Sequence, residues 1–300
     1  MDIAVTLICN PAGPEMAHQD VARVLSVLKE ECKGFTSCPL SPGRALDFWL
    51  VDSASDCAAL AGRLRKTIGA APIDIVVQPI ERRRKRLLIA DMDSTIIEQE
   101  CIDELAEFAG KRAEISAITE RAMRGELDFE AALKERVAML KGLPETVLEE
   151  TFRNRITLTP GARTLVQTMK KFDGYAALVS GGFTFFTSRV AAAAGFDFND
   201  ANTLIAKDGA LTGAVGEPIR GRAAKEAALV RIAAERSIPL EETMGVGDGA
   251  NDLSMLARAG LGVAYRAKPA VAAAADARID HGDLTALLYI QGIPQAEFAT

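Results

Sequence analysis

Histidine is almost missing from this chain: there are two in 300 residues, His18 and His281. Neither lies near another candidate nucleophile or base in sequence, so catalysis by an imidazole base is not expected, and both read as surface or polar-contact residues. Cysteine is also sparse and unpatterned. The five cysteines, Cys9, Cys32, Cys38, Cys57 and Cys101, show no C-x-x-C spacing and have no histidine partners, and their number is odd. Neither a zinc site nor a disulfide framework is indicated. No apolar run reaches the roughly 18 residues of a membrane span, and no basic segment leads an apolar stretch at the amino terminus, where Asp2 stands. Neither a leader nor a membrane partner is expected, and a reducing cytoplasm is the expected location. Excess positive charge is lacking as well. With 35 Lys and Arg against 41 Asp and Glu, a net charge of −6 and a pI near 5.2, the chain shows no electrostatic footprint for nucleic acid. Small-molecule chemistry is favoured. The single basic run, Arg82-Arg83-Arg84-Lys85-Arg86, reads as a solvated linker between domains rather than as a binding patch.

What is present is acid at the ends of apolar strands. The run Leu87-Leu88-Ile89-Ala90 leads straight into Asp91-Met92-Asp93-Ser94-Thr95. At the carboxyl end of a buried parallel strand such residues face the crevice where open α/β sheets bind ligands. Taken alone, Asp-X-Asp is more often a turn or a helix start. Thr243-Met244-Gly245-Val246 then repeats the design, ending in Gly247-Asp248-Gly249-Ala250-Asn251-Asp252. Between the two, Tyr175-Ala176-Ala177-Leu178-Val179 ends in Ser180-Gly181-Gly182, a hydroxyl with exposed backbone N–H groups suited to phosphate oxygens. Lys225 opens a helical stretch over residues 222–236.

Acid pair, hydroxyl, lysine and second acid pair, in that order, resemble the four motifs of the haloacid dehalogenase-type phosphohydrolases over residues 85–300. Within that superfamily, Glu98-Gln99-Glu100-Cys101-Ile102-Asp103-Glu104-Leu105-Ala106 and the segment from Arg124-Gly125-Glu126-Leu127-Asp128-Phe129 to Arg136-Val137 look like the cap of the phosphoserine phosphatases. The resemblance implies that Asp91 attacks phosphorus to form an aspartyl-phosphate. Asp93, protonated at the start, donates to the leaving hydroxyl and then activates water. Ser180 and the Gly181 N–H hold phosphoryl oxygens, and Lys225 neutralises their charge. Mg2+ is implied as cofactor, on the Asp91 and Asp248 side chains and the Asp93 backbone carbonyl, with Asp252 orienting bound water or Lys225 from behind. Glu100 aligns with the ammonium-binding position and Arg136 with the carboxylate-binding one; Asn251 aligns with a further substrate contact, and Phe129 packs beside the substrate or in the helix core. The implied reaction is hydrolysis of O-phospho-L-serine to L-serine and phosphate, the last step of serine synthesis. Two alternatives stay open: a related phosphatase for a sugar phosphate or a phosphorylated homoserine, and an amino-acid-binding regulator whose catalytic domain has become a scaffold.

The organisation expected is α/β throughout. Residues 1–80 read as strands at 3–9, 45–51 and 73–77 with helices at 18–31 and 57–68. If residues 34–39 supply an edge strand, the order is βαββαβ, the α+β, ferredoxin-like pattern of ACT-like domains. Either an interface role, such as a homodimer through this module, or amino-acid sensing would suit it. Residues 81–86 are the linker. Residues 87–300 read as a Rossmann-like parallel sheet, with strands at 87–90, 176–179, 243–246, 261–264 and 277–279 and a helix at 270–275. The excursion over residues 98–158 reads as a small helical cap able to close over substrate. Residues 203–206 and 211–215 suggest a hairpin turned by Asp208-Gly209.

Overall fold

The computed structural model describes residues 1–32, 34–51, 53 and 55–299. Its first part runs β1 (Ile3–Cys9), α1 (His18–Glu31), β2 (Phe35–Ser41), β3 (Ala45–Leu50), α2 (Cys57–Ile68) and β4 (Ile73–Pro79). The strands form one antiparallel sheet in the order β2-β3-β1-β4, the βαββαβ arrangement read from the sequence. Strand alternation divides the sheet's residues between two environments. Ile3, Val5, Leu7 and Cys9 pack with Val24, Leu28, Leu60 and Leu64 of the helices. Ile8, Leu40, Ala45 and Val76, on the other face, join the core of the second part.

That second part contains a six-stranded parallel sheet. Its strands are β5 (Leu87–Ala90), β6 (Tyr175–Phe183) and β7 (Phe198–Asn202), and, after the hairpin β8 (Leu204–Lys207) and β9 (Ala210–Val215), β10 (Thr243–Gly247), β11 (Leu261–Tyr265) and β12 (Ala277–Ile279). The order β12-β11-β10-β5-β6-β7 puts β5 at the centre. All four β5 residues are buried because both faces are covered. Leu88 and Ala90 enter one core with Leu178 and Val246, whereas Leu87 and Ile89 enter the other with Ala177, Val179 and Leu229. The sequence reading omitted β7. Its residues Phe-Asn-Asp-Ala-Asn carry no apolar run, as suits an edge strand with less burial to satisfy.

Four helices follow the β5 turn: α3 (Cys101–Phe108), α4 (Arg112–Met123), α5 (Phe129–Ala138) and α6 (Thr146–Arg155). They form the cap, entered and left through paired strands in which Ile97 bridges Leu158 and Glu98 N–H donates to Thr157 O at 3.1 Å. The hairpin belongs with this cap, an association the sequence did not reveal. Gly142 N–H donates to Leu211 O at 2.8 Å and Glu145 N–H to Gly209 O at 2.9 Å. Its turn uses positive φ at Asp208 and Gly209, the geometry a two-residue hairpin turn needs. The remaining helices are α7 (Ala162–Lys171), α8 (Thr184–Ala194), α9 (Arg222–Glu235), α10 (Leu253–Arg258), α11 (Pro269–Ala274) and α12 (Ala286–Tyr289). No helix among the described residues is long and apolar enough to cross a membrane.

In the basic run at 82–86, Arg82, Arg84 and Arg86 are exposed, as suits a solvated linker, but Arg83 departs from that reading. Arg83 is 7 % exposed and forks onto Asp47, which is fully buried, with contacts of 2.7 and 3.2 Å. Its Nε also donates to Ile290 O at 3.1 Å. One guanidinium therefore joins the first sheet to the last helix of the second part. A bidentate fork of this kind suits arginine in a way that a lysine would not. Asp74 makes a second junction, accepting from the backbone N–H groups of Asp280, His281 and Gly282 at 2.7–3.1 Å.

Arg83→Met should lower unfolding stability by about 3–5 kcal/mol, because it strands a buried carboxylate. Asp47→Asn in the same chain should recover part of that loss. Urea unfolding followed by Trp49 fluorescence reads the junction directly, since the Trp49 indole donates to Asp47 at 3.1 Å. An unchanged midpoint in Arg83→Met would refute this role.

Candidate active site

Parallel pairing of β5 with β10 in the register Ala90 to Val246 brings both acidic turns to the same sheet end. Asp91 follows β5 directly. Its Oδ1 accepts from Met92 N–H at 2.7 Å, and its Oδ2 meets Lys225 Nζ at 2.7 Å. The chain then turns sharply, with Ser94 in the left-handed region at φ 53°. This turn aims the Asp93 carboxylate away from the Asp91 side chain toward α3, where its Oδ1 accepts from Cys101 N–H at 2.9 Å.

Lys225, on the first turn of α9, is 1 % exposed and reaches both Asp91 and Asp252 at 2.7 Å. Burial pulls its pKa down, but Asp252 and Asp91 more than reverse this, so the lysine is held charged. Asp252 also accepts from Gly249 N–H at 3.1 Å. Among the described residues the Asp248 side chain accepts a hydrogen bond from Thr95 Oγ1 alone, at 3.3 Å, and burial together with Asp252 and Asp91 pushes its pKa well up against the pull of Lys225 and Lys268.

Carboxylate oxygens of Asp91, Asp248 and Asp252 all lie within 4.8 Å of one another. Hard oxygen donors carrying more negative charge than one lysine balances are what a small divalent cation requires. The residues therefore fit a metal ion. Asp252 stands in this group and also pairs with Lys225 at 2.7 Å, while the Asp93 side chain lies outside it.

A cavity opens beside these acids. Asp91, Asp93, Ser180, Gly181, Glu100, Phe129, Arg136 and Asn251 all line it, while Lys225, Asp248 and Asp252 are not among its lining residues. Its free volume is about 30 Å³, room for roughly two water molecules. At the sheet end, Ser180 Oγ accepts from Gly182 N–H at 2.8 Å, leaving its proton available to a ligand. Gly181 has a steric reason to be glycine: a Cβ there would stand 2.6 Å from Phe129 Cζ. At the cap end, Glu100 accepts from Ser94 Oγ at 2.7 Å. Burial, then Asp93 and Asp248, push Glu100 well above the ordinary carboxyl range. Burial also raises Asp93, to about 6, with Asp91 adding to it against the hydrogen bonds from Cys101.

Arg136 is 3 % exposed, yet its hydrogen-bond partners among the described residues are neutral: Ala132 O at 3.1 Å and Thr119 Oγ1 at 2.9 Å. Its Nη2 has no partner among them. Asn251 Oδ1 is likewise buried without a donor. Several residues at the site carried no sequence reading. Thr95 was legible in principle, since it sits inside the Asp91-Met92-Asp93-Ser94-Thr95 motif. Met123, Leu133 and Phe183, which line the cavity, look like any core residues on their elements.

Lys225→Met should lower the stability of the metal-free protein by about 3–5 kcal/mol, since it leaves two buried acids facing each other. Urea unfolding in EDTA checks this, and an unchanged midpoint would show that the lysine does not hold the site together.

Residues 88–257 match the family model of the haloacid dehalogenase-like hydrolases. A phosphoserine phosphatase from Archaeoglobus fulgidus is 44% identical over 253 residues, 83% of this chain and 73% of that protein. One from Streptomyces coelicolor is 46% identical over 225 residues, 75% of this chain; the match spans only about half of that relative, 55%. Among solved structures, a HAD family hydrolase from Salmonella enterica serovar Typhi superposes with a TM-score of 0.82 at 32% identity. That superposition covers 96% of this chain and 98% of the other.

Proposed function

The chain belongs to the haloacid dehalogenase-like hydrolases, on their phosphoserine phosphatase branch, and on that footing we propose that it hydrolyses O-phospho-L-serine to L-serine and phosphate. The observation that carries this reading is the cavity's polarity. A phosphate-handling end of Asp91, Asp93, Ser180 and Gly181 faces a cap end holding a buried guanidinium without a carboxylate partner. A ligand carrying both phosphate and carboxylate would complete it. The ammonium of the same amino acid would find the Glu100 carboxyl and the orphaned Asn251 Oδ1. A sugar phosphate offers no anion for Arg136.

Asp91 attacks phosphorus and the bond to the seryl oxygen breaks, with Asp93 giving its proton to that oxygen. Burial raises Asp93 from the ordinary carboxyl range to about 6, which increases the share of the protonated starting form. Asp93, now a carboxylate, takes a proton from the water that attacks phosphorus, and the bond to Asp91 breaks. Ser180 Oγ–H and Gly181 N–H bind phosphoryl oxygens throughout, and Lys225 offsets their charge. Asp91, Asp248 and the Asp93 carbonyl would hold Mg2+, with Asp252 orienting around it. The ion supplies positive charge to the phosphoryl group when bound.

Two further readings accompany the activity. The free cysteines suit a reducing cytoplasm. The exposed edge strand β2 and the half-exposed Trp49 leave the first domain, residues 1–80, a surface for a homodimer; a monomer by light scattering would count against it.

Phosphate release from O-phospho-L-serine should require Mg2+, stop in EDTA and fall roughly a thousandfold or more in Asp91→Asn. O-phosphothreonine and a sugar phosphate should turn over more slowly. Arg136→Ala should cost about 10- to 100-fold in kcat/KM on phosphoserine, the worth of hydrogen bonds to a charged group. If a sugar phosphate proves the better substrate, the cap assignment is wrong; silence on every ester would favour the regulator instead.

A further inference from the structure

We infer that Thr119 and Asp103, two cap residues outside the cavity lining, are positioning residues that set the choice of substrate by holding Arg136 from behind. The inference rests on the reading of Arg136 as the carboxylate clamp and extends it to the parts that aim the clamp.

The geometry forms a relay. Arg136 Nη1 donates to Thr119 Oγ1 at 2.9 Å, and Thr119 Oγ1 lies 2.9 Å from Asp103 Oδ1. A hydroxyl has one proton and two lone pairs. Accepting from the guanidinium leaves its proton for Asp103, with Ile115 O at 3.0 Å as the competing acceptor. Thr119 is 3 % exposed, on α4; Asp103 is on α3 and Arg136 on α5. Three cap helices therefore meet at one hydroxyl.

A buried guanidinium needs its geometry fixed, because a long arginine side chain has many rotamers to lose on binding. Nε is tied to Ala132 O on its own helix and Nη1 to Thr119. Arg136 lines the cavity, and with those two nitrogens fastened Nη2 is the one left for a ligand. Against the penalty of burial, Glu100 and then Asp103 and Asp93 favour the charged guanidinium, and Asp103 does so through Thr119 rather than by a direct bond, leaving the binding edge open. A carboxylate placed directly on Arg136 would fill the position that a substrate carboxylate takes. The threonine spacer keeps the charge one hydrogen bond away.

The decisive comparison is Thr119→Val, equal in shape but without the oxygen, assayed on O-phospho-L-serine and on phosphoethanolamine, which lacks only the carboxylate. The ratio of kcat/KM between the two esters should fall about tenfold, the worth of roughly one charged hydrogen bond. The change should lie mainly in KM for phosphoserine. Thr119→Ser should restore the ratio, which a purely structural role for the side chain would not predict, and Asp103→Asn should fall between. An unchanged ratio in Thr119→Val, alongside a wild type that prefers phosphoserine, would overturn the inference alone. A wild type indifferent to the carboxylate would overturn the substrate reading and the relay together. Equal losses on both esters would mean that Thr119 supports the cap fold, and would also overturn it.

Discussion

Everything at the sheet end depends on one buried cation. Parallel neighbours in register must deliver their terminal residues to the same edge, and here those residues are acids. Left alone, Asp91, Asp248 and Asp252 would repel one another in a setting where little water penetrates. Lys225 enters from α9 and takes one oxygen from each of two of them. Its own placement is tied to the third strand end. The Asn202 amide donates to Gly181 O at 2.8 Å and to Arg220 O at 3.1 Å, joining the Ser180 loop to the approach to α9. Hydroxyl, lysine and acids are thus held in one hydrogen-bonded frame.

Two of the three buried cations among the described residues, Lys225 and Arg136, stand at the site, and they are treated differently. Lys225 is fully paired by the chain itself, and its charge holds the catalytic frame in shape. Arg136 has hydrogen bonds only to neutral groups among the described residues; Glu100, Asp103 and Asp93 act on it without direct contact, and its free edge is left to a ligand. A buried charge without a directly bonded counter-ion is costly, so this asymmetry separates the two ends of the site. The lysine at the sheet end has its counter-ions within the chain, whereas the free edge of the cap arginine does not. The phosphate-handling groups of the proposed reaction lie at strand ends, and the arginine proposed to select the substrate lies on the cap.

Where chemistry repeats at strand ends, the sequence was easy to read. Leu87 to Ala90 announces a strand buried on both faces, and the acids behind it mark the ligand side of the sheet. The ferredoxin-like order of the first domain followed from three strand-like runs and two helical stretches in sequence, with residues 34–39 taken as the edge strand. What stayed hidden was tertiary. Arg83 looks like any residue in a basic run, because its partner Asp47 and the carbonyl of Ile290 are far away in the chain. β7 is too polar for an apolar pattern. Thr119 is one threonine in a helix, and only the packing of α3, α4 and α5 gives it partners.

The size of the chamber has a kinetic meaning. Free space of about 30 Å³ between cap and sheet leaves little room for bulk solvent beside the acids. A group held there meets the few water molecules that the lining admits, so its exposure to water is set by the shape of the cavity rather than by bulk concentration.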